Sequence, residues 1–139
     1  MRIAWAADAA EVAPLFDEYR VHYGQEASAA TPAWLADQIT SGRLAVATAG
    51  EHGFITVAVL PASLTLGEFW FVRDLFVPPR FRRRGVARAL LTHVVEAARA
   101  AGARRVSLQT ETGNASALAL YASAGFRPVD GLEMLSLAL

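Results

Sequence analysis

The hydrophobic pattern changes period several times along the chain, and each change marks an element. Met1–Ala6 reads as a short strand. Asp8 is placed to cap a helix from Ala9, on which Val12, Leu15, Phe16 and Tyr19 share one face until Gly24. Thr31-Pro32 opens a second helix that carries Trp34, Leu35 and Ile39 and stops near Gly42. Leu44–Thr48, Gly53–Leu60 and Glu68–Val77 are rich in Val, Ile, Phe and Leu and read as strands. Turns at Gly50–Gly53 and Pro61–Gly67 separate them, and Pro78-Pro79 stops the third. Arg84–Ala101 has the clearest helical stripe, with Val86, Ala89, Leu90, His93, Val94 and Ala97 on one face and Gly102 at its end. Arg105–Thr110 reads as a strand, Asn114–Ala124 as a short helix capped by Asn114, and Phe126–Val129 and Glu133–Ala138 as two last strands. The order β-α-α-β-β-β-α-β-α-β-β is a mixed α/β layout.

Length and composition narrow the class. A chain of 139 residues with 54% hydrophobic and 19% charged positions is expected to form one domain over residues 1–139, with a sizeable core. There is no cysteine, so no disulfide, thiolate metal site or cysteine nucleophile exists. His22, His52 and His93 do not form a metal-ligand spacing, and no metal is expected. No apolar run is long enough to span a membrane and the N-terminus is a poor signal peptide, so the expectation is a cytoplasmic protein without a membrane partner. All 13 basic residues are Arg, and they are unevenly spread: residues 1–72 hold 3 Arg against 8 acids, and residues 73–139 hold 10 Arg against 5 acids. The second half is therefore the better candidate to meet an anion. Zero net charge and the lack of further basic stripes argue against a nucleic-acid partner.

The anion candidate is local. From Asp74 to Arg88 a strand runs into a loop with four Arg and Gly85, and the loop opens the long helix. The first N–H groups of a helix have no internal partner, and the helix dipole adds positive potential there. Gly85 removes a side chain where backbone must approach a ligand, and Arg82, Arg83 and Arg84 supply guanidinium groups suited to phosphate. Neither a Walker loop nor a G-x-G-x-x-G fingerprint is present.

These residues carry a resemblance. Val77-x-Pro79 followed by Arg82-x-x-Gly85-x-Ala87 resembles the acetyl-CoA signature of the GNAT superfamily of N-acetyltransferases. Asn114-x-x-Ala117-x-x-Leu120-Tyr121-x-x-x-Gly125-Phe126 resembles its second motif. Asp74-Leu-Phe-Val, with Tyr19-Arg-Val-His-Tyr-Gly24 upstream, looks like a narrower histone/polyamine acetyltransferase-like group, although Arg73 stands where the polyamine enzymes carry an acid.

The resemblance implies a mostly antiparallel sheet of six to seven strands, flanked by four helices and splayed between the fourth and fifth strands. It implies an acetyl-CoA-dependent transferase acting on a small-molecule or peptide amine. The backbone from Arg83 through Gly85 and Val86 to Ala87 would hold the CoA pyrophosphate, with charge from Arg82, Arg84 or Arg88. Pantetheine would pair with the strand edge near Val77, and the N–H of Leu75 or Phe76 would face the thioester oxygen. Tyr121 would be the general acid, or else an aromatic packing its helix; Asn114 would bond the cofactor or a water, or simply cap. Asp74 would bind the ammonium or take its proton, or else pair with a nearby Arg. Tyr19, Tyr23, Glu26 and Trp34 would line the acceptor pocket, where aromatic faces and a carboxylate favour a cation, with core packing as the alternative for Tyr19 and Trp34. A non-catalytic acyl-CoA-binding module of the same fold is the alternative function. Glu133–Ala138, as an exposed edge strand, leaves a homodimer open.

Overall fold

A computed structural model describes residues 1–139. The elements are β1 (Ala4–Trp5), α1 (Ala13–His22), α2 (Thr31–Thr40), β2 (Ala45–Thr48), β3 (Phe54–Ala62), β4 (Gly67–Phe76), α3 (Val86–Ala100), β5 (Val106–Leu108) and α4 (Ala115–Ser123). Five strands form one sheet in the order β1-β2-β3-β4-β5. All neighbours are antiparallel except β4 and β5, which run parallel. By internal contacts the chain divides into a first unit, Met1–Gln109, and a second, Thr110–Leu139.

In the first unit the apolar stripes read from the sequence become the core. Val12, Leu15 and Phe16 of the α1 region and Leu35 of α2 bury against Val46, Phe54 and Phe76. Helix α3 buries Val86, Leu90, Leu91, Val94 and Ala98. Helix α1 starts later than its pattern predicts. Asp8 does cap, accepting from the N–H of Ala10 at 2.9 Å, but it caps a short 3-10 turn at Ala9–Glu11. The α-helix begins at Ala13, where Pro14 fits a first turn that needs no N–H from it.

Two features of β4 set the direction of its side chains and of its backbone edge. Its parallel ladder with β5 stops at Val72, opposite Leu108, while its antiparallel ladder with β3 continues to Phe76. The far half of β4 is therefore paired on one side only, which is the expected splay between the fourth and fifth strands. The register with β3 also shifts there: Val72 faces Val57 and Asp74 faces Thr56, so Arg73 is an extra, bulged residue. In an unbroken strand Asp74 would share a face with Val72 and Trp70, and Trp70 packs edge-on against Trp5, which in turn stacks on His93 of α3. The bulge turns Asp74 to the opposite face, toward α1.

The second unit holds α4, with Gly125 after it in a left-handed conformation at φ 97°. The strands expected at Phe126–Val129 and Glu133–Ala138 do not form, so the sheet has five strands rather than six or seven. Pro128 has no N–H to give a ladder, and the Arg127 guanidinium is turned back onto the carbonyls of Ala122 and Phe126. Leu132, Met134, Leu135, Leu137 and Leu139 are exposed. No helix is long and apolar enough to cross a membrane.

Candidate active site

The end of β4 runs through Val77 and the buried Pro78 into a 3-10 turn at Pro79–Phe81 and then the arginine loop. The loop is built from alternating backbone conformations. Arg83 has φ 64° and Gly85 has φ 79°, both left-handed. For Arg83, a residue with a Cβ, that conformation costs on the order of 1 kcal/mol and persists only when the surroundings enforce it. Gly85 is the N-cap of α3 and offers no side chain, and no other side chain caps the helix. The N–H groups of Arg83, Arg84, Gly85, Val86 and Ala87 accordingly take no acceptor within the chain. Five adjacent free amides at a helix N-terminus form a positive concavity of the kind that receives phosphate oxygens.

The arginines around this cradle have different tasks. Arg82 donates from Nε to the Val77 carbonyl at 2.9 Å and so pins the loop to the strand end, a structural use that the motif alone did not indicate. Arg80 pairs through both guanidinium nitrogens with Glu18 of α1 and lies over the Phe81 ring, 4.9 Å from its centroid. Arg84 also lies over the Phe81 ring, 5.8 Å from its centroid, and borders a cleft of about 470 Å3 with Arg2, Gly50 and His52. Arg83 and Arg88 are exposed.

On the α1 face of β4, the re-aimed Asp74 meets two hydroxyls. Tyr19 donates to Oδ1 at 2.7 Å, and Thr56 donates to Oδ2. None of the chain's ion pairs includes Asp74, so the expected alternative of a salt bridge to arginine is replaced by these two neutral donors. Burial, and then the neighbouring Asp74 carboxylate, push the Tyr19 phenol well above its ordinary value. Tyr19 is thus held protonated, as a donor.

The aromatic residues expected to line an acceptor pocket are partly brought together. Tyr19 packs against Tyr23, Phe54 and Phe76 with ring centroids 5.2–5.5 Å apart. His22, which the sequence did not single out here, stacks on Phe76 at 5.7 Å. Trp34 reaches the group only through Phe16, at 6.0 Å. Glu26 joins no such cluster; its carbonyl accepts from Arg20. Thr56 was also missed, although the polar residue inside the apolar run Phe54–Leu60, in phase with Phe54, was the available signal.

Within the second unit, Asn114 caps α4: its Oδ1 accepts from the N–H of Ala117 at 3.2 Å. The Tyr121 ring packs edge-on against Phe126 at 6.1 Å.

Known proteins resemble this chain in sequence and in fold. The profile of the Acetyltransferase (GNAT) family matches residues 11–126. The uncharacterized N-acetyltransferase YhfO of Bacillus subtilis (strain 168) is 31% identical over 136 residues, covering 94% of this chain and 91% of that protein. A thialysine N-epsilon-acetyltransferase of Caenorhabditis elegans is 35% identical over 80 residues, half of each chain. A crystal structure of a probable acetyltransferase superposes with a TM-score of 0.92 at 28% identity, covering 100% of this chain and 98% of the other. With a family match across both motifs and a relative aligned over nearly its whole length, the chain belongs to the acetyltransferase (GNAT) family.

Proposed function

We propose that the protein, acting as a single domain, transfers the acetyl group of acetyl-CoA to a primary amine by direct attack in a ternary complex. The observation that carries this reading is a continuous path of unpaired backbone: the open edge of β4 leads through Val77 to the five free amides from Arg83 to Ala87. Acetyl-CoA, the cosubstrate its family implies, supplies an acetyl thioester and leaves as the thiol. The amide cradle suits its pyrophosphate, with Arg84 and Arg88 adding charge. The β4 edge at Leu75, Phe76 and Val77 suits the amide-bearing pantetheine arm as an added strand.

The strand's phase supports Leu75 over Phe76 as the donor to the thioester oxygen. Trp70 turns its N–H toward β5, to the Arg105 carbonyl at 3.0 Å. Alternation gives Val72 the same direction, and the bulge at Arg73 shifts the phase by one, so the N–H of Leu75 turns to the open edge. One such donor is worth about 2.7–4 kcal/mol of transition-state stabilisation.

On the acceptor side, Asp74 holds the ammonium, with Tyr19 and Tyr23 as aromatic walls that favour a cation. The ammonium first loses a proton to water or a base. The amine nitrogen then forms a C–N bond to the carbonyl carbon as the C–S bond breaks, and releases its second proton to solvent. Tyr121 gives its phenolic proton to the departing thiolate and recovers one from solvent. This role for Tyr121 rests on its place in the second motif.

CoA release, read with a thiol reagent over a panel of spermidine, lysine peptides, aminoglycosides and free amino acids, tests the reading. The chain has no cysteine to raise the background. Amine-dependent release is the expected result. Acetyl-CoA binding without release by any amine would overturn it in favour of a non-catalytic acyl-CoA-binding module.

A further inference from the structure

We infer that Thr56 and Tyr19 are positioning residues that clamp Asp74 from both oxygens and so present its carboxylate, which makes no ion pair within the chain, to the ammonium of the acceptor. This inference rests on the transfer reading above and adds to it a residue, Thr56, that neither family motif contains.

The clamp begins with the bulge. Only because Arg73 is an extra residue does Asp74 stand opposite Thr56 on the α1 face. Thr56 lies in β3, in the middle of the sheet, and is 0% exposed. A hydroxyl there has no access to water, and a valine would fill the same space without needing a partner. The hydroxyl's one hydrogen-bond partner through its side chain is the Asp74 carboxylate. Tyr19 reaches the other oxygen from α1, at 2.7 Å.

Both donors are neutral, and this distinguishes Asp74 from its acidic neighbours. Asp17 is paired with Arg20, and Glu18 with Arg80. Arg73, next in the chain to Asp74, is turned onto the Phe71 ring at 5.4 Å. Asp74 is therefore oriented by the fold and makes no ion pair. A partly buried carboxylate without a cation is costly unless a ligand supplies one. Each oxygen takes one hydroxyl and keeps a further lone pair, which leaves room for N–H donors of one ammonium. Asp74 is thus the anchor of the acceptor, and the two hydroxyls set where that anchor stands relative to the open edge of β4.

The test compares wild type with Thr56→Val, Thr56→Ser and Tyr19→Phe in the full chain, each checked for folding by thermal unfolding. The readouts are KM for the best amine of the panel, KM for acetyl-CoA, and the rate preference for that amine over hydroxylamine, which is uncharged at neutral pH. Thr56→Val is expected to raise the amine KM about tenfold and to lower the preference for the charged acceptor by a similar factor, since a hydrogen bond to a charged group is lost. The acetyl-CoA KM stays unchanged, and Thr56→Ser restores the wild-type values. Tyr19→Phe moves the same quantities in the same direction. The clamp is overturned if Thr56→Val keeps both the amine KM and the preference within about twofold of wild type. It is also overturned if kcat and both KM values change together without rescue by serine. Should Thr56→Val fail to fold, an unchanged preference in Tyr19→Phe overturns the clamp and a lowered one supports it. A wild-type protein that releases no CoA with any amine overturns the transfer reading itself, and the clamp with it.

Discussion

The two halves of β4 are one strand with two occupations. From Gly67 to Val72 it is flanked by β3 on one side and ends in a ladder with β5 on the other; from Arg73 to Phe76 it keeps only β3. The closed half carries packing, with Val72 buried and Trp70 set against Trp5. The open half carries Asp74 on one face and unpaired backbone along its edge. A bulge of one residue separates them and turns the side chains over. A sheet gains stability wherever its ladder closes, and chemistry is available where the ladder is left open and the chain still held in place. Arg82, bonded to the Val77 carbonyl, and Arg80, paired with Glu18 of α1, hold the open half from its far end.

Substitutions at the open end should abolish function while leaving the fold. Gly85→Glu places a carboxylate in the amide cradle at a left-handed position. Acetyl-CoA affinity, measured by calorimetry, should fall by about a hundredfold or more, because repulsion and loss of the close approach both oppose the phosphate. Unchanged affinity would remove the cradle from the account. Tyr121→Phe sharpens the comparison from outside β4. If the phenol protonates the thiolate, kcat should drop by about a hundredfold with little change in either KM. Near wild-type turnover would remove the acid role from Tyr121.

Asp74→Asn keeps the shape but removes the charge, and its amide nitrogen can no longer accept from one of the two hydroxyls. The amine KM should rise at least about tenfold, while acetyl-CoA binding is retained. In the closed half the balance reverses. Val72→Ala should cost about 2 kcal/mol in denaturant unfolding and leave kcat near wild type, since it removes buried methyl groups away from the open edge. A variant that lost turnover without losing stability would break the division between the halves.

The smallest effect is a matter of pH. The Thr31 hydroxyl above all, with Ser28 and Arg20, lowers the Asp17 carboxyl below its ordinary value. Its bond to Thr31, at 2.7 Å, joins α1 to the start of α2. A depressed carboxyl contributes stability that is present above its unfolded value of about 3.9 and is lost as pH falls through the lower folded value. Thermal unfolding followed downward from about pH 5 should therefore show a steeper loss for wild type than for Asp17→Asn. Parallel curves would mean that the α1–α2 contact does not depend on that charge.

The sequence made the closed parts of the molecule legible and the open parts less so. The stripe Val86, Leu90, Val94 settled α3, because a period of 3.6 survives any detail of packing. The arginine loop was legible as a candidate anion site because a helix start and a glycine have local causes. The bulge was not, since Arg73 has no glycine or other local mark and the shift exists only in pairing with β3. Without the bulge the partner of Asp74 could not be named, and Thr56 looked like any β-branched residue of a strand. The last two expected strands failed for a related reason. The apolar residues of Glu133–Ala138 describe a segment fit for a ladder but cannot supply the neighbour that completes one.

Amide hydrogen exchange along β4, with and without acetyl-CoA, addresses the division most directly. In the free protein the Leu75 N–H should exchange faster than that of Trp70, which is bonded to the Arg105 carbonyl. Acetyl-CoA should slow exchange at Leu75 and at the amides of Arg83 to Ala87, and leave Trp70 unchanged. Protection spread evenly over β4, or absent from Leu75 when acetyl-CoA is bound, would contradict the account.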